Sequence, residues 1–422
     1  MVCSLLFTIF TGNIFSVSQA TLHYDVIIIG AGASGLFCAF TAAKRGRRVL
    51  VIEKSNKVGK KILMSGGGKC NFTNHFVEAD NFISRNPHFC KAALKRYSQW
   101  DFISMVEQYD IRYEERDNSR LFCLDSAKNI VEMLLTECEQ SGVEIQVKSD
   151  ITQIKYDQQA ESQYQLELLE DKEKRYLSCD SLVVATGALS IPSLGGSGLA
   201  YEIAQQFDIA LIPRRAGLVP FMFSDGFKSV CERLSGLALE VELSCNGQGF
   251  IENILFTHRG LSGPVSLQVS NYWHAGDEIS VDLLPYLQVA DWLLEAKKKN
   301  AKTLLRTLLS KKLAKALVNE LQTLFWLALA EKPLAEFSDK QLISIGNQIN
   351  NWTLKPSATE GYRTAEVTLG GVDTDEISSK TMEVKRQSGL YFIGESLDVT
   401  GHLGGYNFQW AWSSGYSAGL NV

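Results

Sequence analysis

The sequence has few features of a metal-binding or redox-dithiol protein. Its nine cysteines are scattered over 422 residues, are odd in number and include no C-x-x-C pair. This spacing does not favour a zinc site or a dithiol redox centre, because both use closely spaced cysteine pairs. We therefore expect no metal and a reducing, cytoplasmic location.

The chain as a whole also lacks an excess of positive charge. Lysine and arginine number 42 against 47 acidic residues, and the formal net charge is −5. No basic tract is interleaved with aromatic residues, so the composition predicts no nucleic-acid partner. A lysine-rich stretch at 297–315 is interpreted as the solvated face of a helix, with a membrane-surface helix as the alternative.

The first twenty residues carry no charge at all. A signal peptide begins with a positive segment, which is missing here. Thr, Asn, Gly and Ser interrupt the apolar residues of this stretch, so we expect no stable membrane insertion. We interpret residues 1–21 as a non-essential extension, such as one produced by a misassigned start, and keep a targeting segment as the alternative.

What the sequence does contain is a nucleotide-binding pattern near its N-terminus. A β-branched run at 26–29 is typical of a buried parallel strand. Gly30, Gly32 and Gly35 follow as G-x-G-x-x-G, which provides a tight turn, room for a phosphate and close helix–strand packing. The next helix would direct its N-terminus at a pyrophosphate. Glu53 ends the second strand, where a carboxylate binds ribose hydroxyls and disfavours a 2′-phosphate, so the pattern predicts FAD or NAD.

A second glycine-rich segment, residues 60–74, follows this acid. Its glycine triplet exposes backbone N–H groups and lets the main chain lie against a flat ligand. Lys69 and Asn71 add donors that can face a flavin or substrate oxygen, so Lys69 is a candidate catalytic residue. The alternative is a flexible surface loop in which Lys69 is only solvated. Cys70 lacks a partner cysteine and is expected to be packed rather than redox-active.

A third glycine-rich turn lies near the C-terminus. Residues 389–398 are typical of a strand followed by a Gly-acid turn, and residues 401–407 open the final helix. Asp398 is a candidate ligand for ribityl or ribose hydroxyls. The glycines and the helix N-terminus can approach the flavin pyrimidine and stabilise the negative charge of a reduced ring. His402 is a candidate donor to that charge or to a substrate, and a structural histidine is the alternative.

The two ends of the chain have the patterns of two halves of one nucleotide-binding domain. Residues 22–194 form its first part and residues 356–422 its second. Alternation and turn glycines predict a β-rich insertion at 195–285, and helical patterns predict a helical subdomain at 286–355. A dense polar turn in the insertion contains His258, which is either a candidate catalytic residue or part of a well-capped structural turn.

These segments together resemble one family, the FAD-dependent oxidoreductases of the aminoacetone-oxidase (BaiN-type) group. The matching segments are GAGASGL at 30–36, KKILMSGGGKCNFTN at 60–74, LFTHRGLSGPVSL at 255–267 and the block at 368–419 that contains GESLDVTGHLGGYN. The resemblance covers residues 22–422. Family members often have G-R-x-F-P where this chain has SRLFC at 119–123, which weakens the expectation of a role for that loop.

The resemblance implies an α/β fold with a Rossmann-like FAD-binding domain of the two-dinucleotide-binding type. A β-barrel-like insertion and a helical subdomain would interrupt this domain and cover a non-covalent FAD. The implied activity is transfer of a hydride or electron pair at flavin N5 to or from a small-molecule substrate or a nicotinamide. No second complete G-x-G-x-x-G unit is present, so NAD(P)H is expected only as a transient reductant.

Two other functions remain open from the sequence. One is an NAD-binding dehydrogenase without flavin. The other is a flavin-containing binding or assembly protein without turnover, for example one with RNA-modification or membrane partners. The patterns do not predict the substrate, the electron acceptor or the oligomeric state.

Residues from all these segments are predicted, partly through the resemblance, to bind FAD. They are Gly30, Gly32, Ala33, Ser34, Gly35, Glu53, Lys54, Lys61, Ser65, Gly66, Gly67, Gly68, Lys69, Cys70, Asn71, Val147, Thr186, Gly187, Gly394, Glu395, Asp398, Gly404, Gly405, Tyr406 and Asn407. Glu53 is expected at the adenosine ribose, and the first glycines at the pyrophosphate. Residues 65–71 and 404–407 are expected around the isoalloxazine.

Overall fold

A computed structural model of the protein describes residues 22–160, 162–170 and 173–422. The helices are α1 (Ala33–Ala43), α2 (Lys60–Met64), α3 (Lys91–Arg96), α4 (Gln99–Gln108), α5 (Lys128–Gln140), α6 (Leu199–Gln206), α7 (Gly226–Arg233), α8 (Pro264–Ser270), α9 (Val289–Lys299), α10 (Leu305–Leu309), α11 (Lys315–Phe325), α12 (Asp339–Asn350) and α13 (Tyr406–Gly419). The strands are β1 (Leu22–Ile29), β2 (Val49–Ile52), β3 (Asn71–Asn74), β4 (Phe82–Ile83), β5 (Tyr113–Arg116), β6 (Arg120–Cys123), β7 (Glu144–Gln146), β8 (Ser149–Tyr156), β9 (Tyr164–Glu170), β10 (Glu173–Val184), β11 (Leu211–Gly217), β12 (Phe221–Met222), β13 (Ala238–Cys245), β14 (Gln248–Thr257), β15 (Gly260–Ser262), β16 (Ile279–Asp282), β17 (Trp352–Leu354), β18 (Ala358–Thr359), β19 (Val367–Val372), β20 (Leu390–Phe392) and β21 (Thr400–Gly401). The predicted extension at 1–21 lies outside the described residues.

A largely parallel sheet forms the centre of the nucleotide-binding half. Its parallel strands follow the order β7-β2-β1-β10, and β20 pairs with the C-terminal part of β10. Residues 26–29 and 49–52 are buried throughout, as expected for strands covered on both faces. Strands β8 and β9 extend the sheet from β10 as an antiparallel meander. Both ends of the chain therefore build one sheet.

Helix α13 packs on α1, so the C-terminal segment lies against the first βαβ unit. Two glycines permit this close approach. A Cβ at Gly415 would lie 2.6 Å from the backbone oxygen of Ser34, and a Cβ at Gly419 would lie 2.6 Å from the Cβ of Thr41. A larger side chain at either position would push the two helices apart.

The chain between β11 and β19 forms a second, antiparallel sheet with helices of its own. Its strand order is β17-β16-β13-β14-β15-β12-β18. Among the described strands, the edges β17 and β18 do not pair with each other, so an open sheet stands where a β-barrel-like insertion was predicted. The lysine-rich stretch at 297–315 is not a single helix. One connection separates the end of α9 from α10, and another separates α10 from the start of α11.

Two hydrophobic cores stabilise these two parts. One core draws its residues from 24–209 and 372–422, and the other from 221–354. We call the part of the chain around the first core the cofactor region and the part around the second core the inserted region. Strands β11 and β19 pair with each other and connect the two regions. The exact domain boundaries stay a prediction. Within the described part of the chain, no helix combines the length and the apolar character needed to span a bilayer.

Candidate active site

A cavity of about 500 Å³ opens beyond the carboxyl ends of β1, β2 and β10. Ligands of parallel α/β sheets bind at this edge, because loops and helix N-termini converge there. Many of the predicted site residues line this cavity. They are Gly30, Gly32, Ala33, Ser34, Glu53, Lys61, Ser65, Gly66, Gly67, Asn71, Thr186, Gly187, Glu395, His402, Gly404, Gly405 and Asn407.

The remaining predicted residues lie outside the cavity lining. They are Gly35, Lys54, Gly68, Lys69, Cys70, Val147, His258, Gly394, Asp398 and Tyr406. The Lys54 side chain forms an ion pair with Asp150 at 2.8 Å. The Lys69 ammonium donates to the carbonyl oxygens of Leu124, at 2.5 Å, and Asp125, at 3.0 Å. Lys69 is thus held by backbone oxygens, and its catalytic role stays a prediction.

Three more of these residues have environments that bear on their predicted roles. Cys70 is buried, and burial raises the pKa of its thiol, so it is packed in a neutral form. Asp398 is also buried, which raises its pKa, and it accepts a hydrogen bond from the Arg85 backbone N–H at 2.8 Å. His258 is exposed in the turn between β14 and β15.

The first glycine turn has the geometry expected of a dinucleotide site. Gly30 has a φ of +109°, and a Cβ there would lie 2.4 Å from the Ala185 backbone oxygen. A Cβ at Gly35 would lie 2.0 Å from the Gly30 backbone oxygen, so this glycine allows the helix to pack on the strand. At Gly32, no described atom lies within 4 Å of an added Cβ, and the residue lines the cavity. Gly32 therefore leaves room for a ligand.

The N-termini of two helices reach this cavity. Helix α1 begins after Gly32 and α13 after Gly405, and both glycines line the cavity. Of the side chains that the structure describes, none caps either terminus, and neither first turn contains an acidic residue. Free N–H groups and the positive end of the helix dipole stabilise negative charge. The cavity therefore has anion-stabilising backbone at two separate places.

Glu53 is held by the backbone around it. Its Oε2 accepts from the Ala31 N–H at 3.0 Å, and its Oε1 accepts from the Ser55 N–H at 2.7 Å. A carboxylate has about four lone-pair positions, so acceptor capacity remains for ribose hydroxyls. This arrangement supports the predicted role of Glu53.

A polar cluster joins three distant segments at the cavity wall. The Lys61 ammonium donates to the Ser190 hydroxyl at 2.7 Å and to Glu395 Oε2 at 2.8 Å. The Ser190 hydroxyl donates to Glu395 Oε1 at 2.7 Å. Glu395 also accepts from the Thr368 N–H at 3.0 Å. These bonds fix the glycine-rich segments around the cavity relative to each other.

The glycine triplet adopts a conformation that other residues rarely take. Gly66, Gly67 and Gly68 have φ values of 55°, 66° and 85°. A Cβ at Gly66 would lie 2.8 Å from the Phe122 ring, so the loop lies directly on β6. With its amide oriented to satisfy its neighbours, the Asn71 Oδ1 accepts from the Gly405 N–H at 3.0 Å. Asn71 therefore links the triplet loop to the start of α13.

Arg120 and two glutamates lie where the inserted region meets this loop. Arg120 forms an ion pair with Glu252 of β14, and the two side chains are only 14% and 13% exposed. Glu366 lines the cavity, and its side chain is exposed there. Desolvation by the surrounding protein raises the pKa of Glu366, and the positive charge of Arg120 opposes the shift.

His402 contacts the inserted region as well as the cavity. The Tyr272 hydroxyl lies 2.7 Å from His402 Nε2. Burial lowers the pKa of His402 to about 4, so the imidazole is neutral at pH 7. A neutral ring that accepts from Tyr272 at Nε2 retains its proton on Nδ1. His402 can then donate a hydrogen bond without bearing a positive charge.

The residues that line the cavity fit an FAD molecule. Gly32 leaves space beside the N-terminus of α1 for the pyrophosphate, and Glu53 remains available for the ribose. Thr186 Oγ1 is buried at the cavity with no hydrogen-bond partner among the described residues. Such an atom is expected to bind a ligand. The fold and the cavity define a flavin-dependent oxidoreductase of the Rossmann type.

Comparison with known proteins identifies the family. The family described as "HI0933-like protein Rossmann domain" matches residues 24–421, and the chain belongs to this family of FAD-dependent oxidoreductases. This result confirms the resemblance found in the sequence. A solved structure, the 3-ketosteroid-delta4-(5alpha)-dehydrogenase of Rhodococcus jostii, covers 96% of this chain and 98% of its own, with a TM-score of 0.51 and 14% identity. It shows that the fold is shared.

Three curated relatives span nearly the whole chain. The ribosomal RNA dihydrouridine synthase of Escherichia coli is 47% identical over 401 residues, covering 95% of this chain and 98% of the relative. The protein of the same name from Haemophilus influenzae is 47% identical over 404 residues, with coverage of 95% and 98%. The 3-dehydro-bile acid delta(4,6)-reductase of Clostridium scindens is 27% identical, with coverage of 93% and 97%.

These relatives overturn one expectation from the sequence. The prediction of a small-molecule substrate and no nucleic-acid partner is wrong, because two full-length relatives at 47% identity are named for an activity on ribosomal RNA. That prediction relied on the net charge of −5, which averages over the whole surface. An average does not report a local excess of positive charge.

Sequence reasoning missed several residues of the site. Arg120 and Phe122 line the cavity from β6, in the segment whose role the departure from the family pattern had put in doubt. The Arg and the Phe of the family pattern G-R-x-F-P are both present there, and this pair is the feature that could have identified them. Glu366 was missed because it belongs to no local motif.

Proposed function

We propose that this protein reduces a uridine of ribosomal RNA to dihydrouridine, with FAD bound in the cavity and NAD(P)H as the electron source. The observation that supports the substrate is the 47% identity over 95% of the chain to two ribosomal RNA dihydrouridine synthases. The matched length includes both the cofactor region and the inserted region. Similarity is therefore not limited to the nucleotide-binding motif that many flavoproteins share.

The reaction adds a hydride and a proton across the C5=C6 bond of uracil. This bond is conjugated with the C4 carbonyl, so the hydride adds to C6, negative charge develops towards O4, and the proton adds to C5. When bound and reduced by a nicotinamide, the flavin would supply the hydride from N5. The protein must orient the base, stabilise the developing charge and provide the proton.

The flavin end of the cavity offers groups for each of these tasks. Backbone at Gly404 and Gly405, with the N-terminus of α13, stabilises negative charge. His402, neutral at pH 7, donates a hydrogen bond to a carbonyl oxygen. Glu366 lines the same part of the cavity, and its raised pKa keeps a proton on the carboxyl over a wider pH range. We propose Glu366 as the proton donor to C5.

Two electrons are consumed in each turnover, and a reduced nicotinamide supplies them as a hydride. A transient encounter fits the sequence, which contains one complete G-x-G-x-x-G unit. A ribosomal RNA substrate also agrees with the cytoplasmic location that the cysteine pattern predicts.

The test is a reconstituted reaction. FAD-loaded protein is incubated without oxygen with an unmodified ribosomal RNA transcript and NADH or NADPH, and nucleosides from the RNA are analysed by mass spectrometry. The expected result is dihydrouridine in the RNA, and its formation should depend on both the nicotinamide and the protein. Reduction of the bound flavin without any dihydrouridine in ribosomal RNA would contradict the proposed substrate.

A further inference from the structure

The inserted region contains a local excess of positive charge that the net charge conceals. In residues 297–315, here called the basic segment, eight of 19 residues are lysine or arginine and none is acidic. The eight are Lys297, Lys298, Lys299, Lys302, Arg306, Lys311, Lys312 and Lys315. Such a segment creates a positive potential that attracts polyanions.

Burial separates the two kinds of residue in this segment. Its leucines face the core of the inserted region, where Leu305, Leu308, Leu309 and Leu313 are buried. The lysines lie at helix ends and in the turns between α9, α10 and α11. Six of them are exposed. Lys298 and Lys299 belong to α9, and the other four, Lys302, Lys311, Lys312 and Lys315, lie beyond its end. We call these the four exposed lysines.

The four exposed lysines differ from three of their basic neighbours, which have carboxylate partners. Lys297 pairs with Asp339 at 2.6 Å, Lys299 with Glu295 at 3.3 Å, and Arg306 with Glu331. No carboxylate in the described part of the chain forms an ion pair with any of the four exposed lysines. Their charges are therefore available to an external anion.

Another basic stretch, at 44–61, shows that basic residues of this protein are not always available to an external anion. Four of its basic residues are engaged with carboxylates. The pairs are Lys44 with Glu137, Arg48 with Glu144 at 3.4 Å, Lys54 with Asp150 at 2.8 Å and Lys61 with Glu395 at 2.8 Å. Partners within the protein thus neutralise half of the eight basic residues of that stretch, whereas the four exposed lysines have no ion-pair partner among the described residues.

We propose that the four exposed lysines bind the phosphate backbone of ribosomal RNA, outside the part of the RNA that enters the cavity. This inference rests on the proposed function. A cavity of about 500 Å³ is too small for a folded RNA, so most of the RNA must contact the outer surface. Lysines that neutralise phosphates release counterions, which favours binding without reading the sequence.

A membrane surface fits the basic segment less well than RNA does. An interfacial helix inserts an apolar face between lipid chains, next to its positive charges. Here the leucines beside the lysines are buried in the protein core, and the segment is broken into short helices. The four exposed lysines thus present charge without an adjacent apolar face, which suits RNA phosphates.

The experiment compares two double variants of the full-length, FAD-loaded protein. In the test variant, Lys311→Gln and Lys312→Gln remove two of the four charges. In the matched control, Lys91→Gln and Lys95→Gln remove two exposed charges from α3 of the cofactor region. Binding to a ribosomal RNA transcript is measured over roughly 50–200 mM salt, and dihydrouridine formation is measured against RNA concentration.

The test variant should show a plot of log affinity against log salt that is shallower by about 2, at about 0.9 per lost phosphate contact. Its KM for RNA should rise several-fold with kcat unchanged, and the control should match the wild type. A test variant with the wild-type salt dependence and KM would overturn the inference. Binding to vesicles of phosphatidylcholine and phosphatidylglycerol is measured in parallel, and a test variant that loses only vesicle binding would also overturn it. If the wild-type protein forms no dihydrouridine in ribosomal RNA, the proposed function fails instead. Reduction of the flavin by NAD(P)H shows that each variant is intact.

Discussion

The cofactor region shapes the cavity mainly with its backbone, whereas side chains of the inserted region, outside the cavity lining, hold residues of its wall in place. Gly30 and Gly32 create the first turn, and α1 and α13 present free N–H groups. From the inserted region, Glu252 pairs with Arg120, and the Gln268 Oε1 accepts from the Leu403 N–H at 2.6 Å. Backbone sites depend on short motifs, but these side-chain contacts depend on partners far away in the chain. Adding a side chain should therefore damage the backbone-made part of the site. Removing a side chain should damage the part that depends on side-chain contacts.

The largest effect is expected at Glu366, which lies between the two regions. Replacing Glu366 by Gln keeps the shape of the side chain but removes the proposed proton donor. The rate of uridine reduction should fall roughly 100- to 10,000-fold, the usual contribution of a general acid. The wild-type rate should decline as pH rises through the raised pKa of Glu366, because only the protonated form donates. Single-turnover reduction of RNA across a pH series measures both effects.

A matched control distinguishes proton donation from structural damage. Glu360 pairs with Arg259 at 3.7 Å and lies outside the cavity lining, so Glu360→Gln should retain the wild-type rate. Both variants should bind FAD and be reduced by NAD(P)H like the wild type. A Glu366→Gln enzyme with an unchanged rate and pH profile would eliminate Glu366 as the donor.

The next largest effect is expected from breaking the contact between Arg120 and Glu252. Glu252→Ala would leave the buried Arg120 guanidinium without its carboxylate and would also remove the bond from Asn118 Nδ2. Loss of one partner of a buried ion pair costs roughly 3–5 kcal/mol, and we expect a value near the lower end because both side chains retain some exposure. Urea denaturation followed by circular dichroism measures the change in free energy of unfolding.

Glu240, on the neighbouring strand β13, provides the control for this variant. Its side chain is exposed, so Glu240→Ala should alter the free energy of unfolding by less than about 0.5 kcal/mol. Equal stabilities for the Glu252→Ala and Glu240→Ala proteins would show that the inserted region does not depend on this contact.

In the backbone-made part of the site, a smaller effect is expected from adding a side chain. Gly32→Val places methyl groups in the space that is open for the pyrophosphate, since no described atom lies within 4 Å of an added Cβ. Overfilling of a packed site costs roughly 1–3 kcal/mol, which corresponds to about a 5- to 150-fold weaker FAD affinity. Titration of the apoprotein with FAD, followed by flavin fluorescence, measures it. Gly226→Val, at the equally open start of α7, should leave FAD binding unchanged.

The sequence predicts the cofactor region well because its determinants are local. The β-branched strand, the glycine spacing and the acid at Glu53 lie within one βαβ unit, and each has a specific steric or electrostatic purpose. The glycine triplet and the turn before α13 were also identified, since glycine is selected wherever φ is positive and the main chain meets a ligand. These motifs converge on one cavity in the structure.

The inserted region was less predictable for a physical reason. Alternation of residues indicated antiparallel strands but not whether the sheet closes, since closure depends on pairing between distant edges. The partners Tyr272 of His402 and Glu252 of Arg120 are separated in sequence by 130 and 132 residues, so no spacing rule indicates them. Charge averaged over the chain similarly concealed the basic segment.

The smallest effect per step is expected at the contact between His402 and Tyr272, where stability should change gradually with each pH unit. Burial lowers the pKa of His402 to about 4, against about 6.5 for an unfolded histidine. Between these values the unfolded chain binds a proton that the folded protein excludes, so stability should fall as pH decreases from about 6.5 to about 4, by at most about 1.4 kcal/mol per pH unit. His402→Gln retains a partner for the Tyr272 hydroxyl but does not titrate, so its stability should fall less steeply over this range. Carboxyl groups titrate equally in both proteins, and the difference between their unfolding curves therefore isolates the histidine. Parallel curves would show that His402 is protonated as readily in the folded protein as in the unfolded chain, and that the inserted region does not shield it from water.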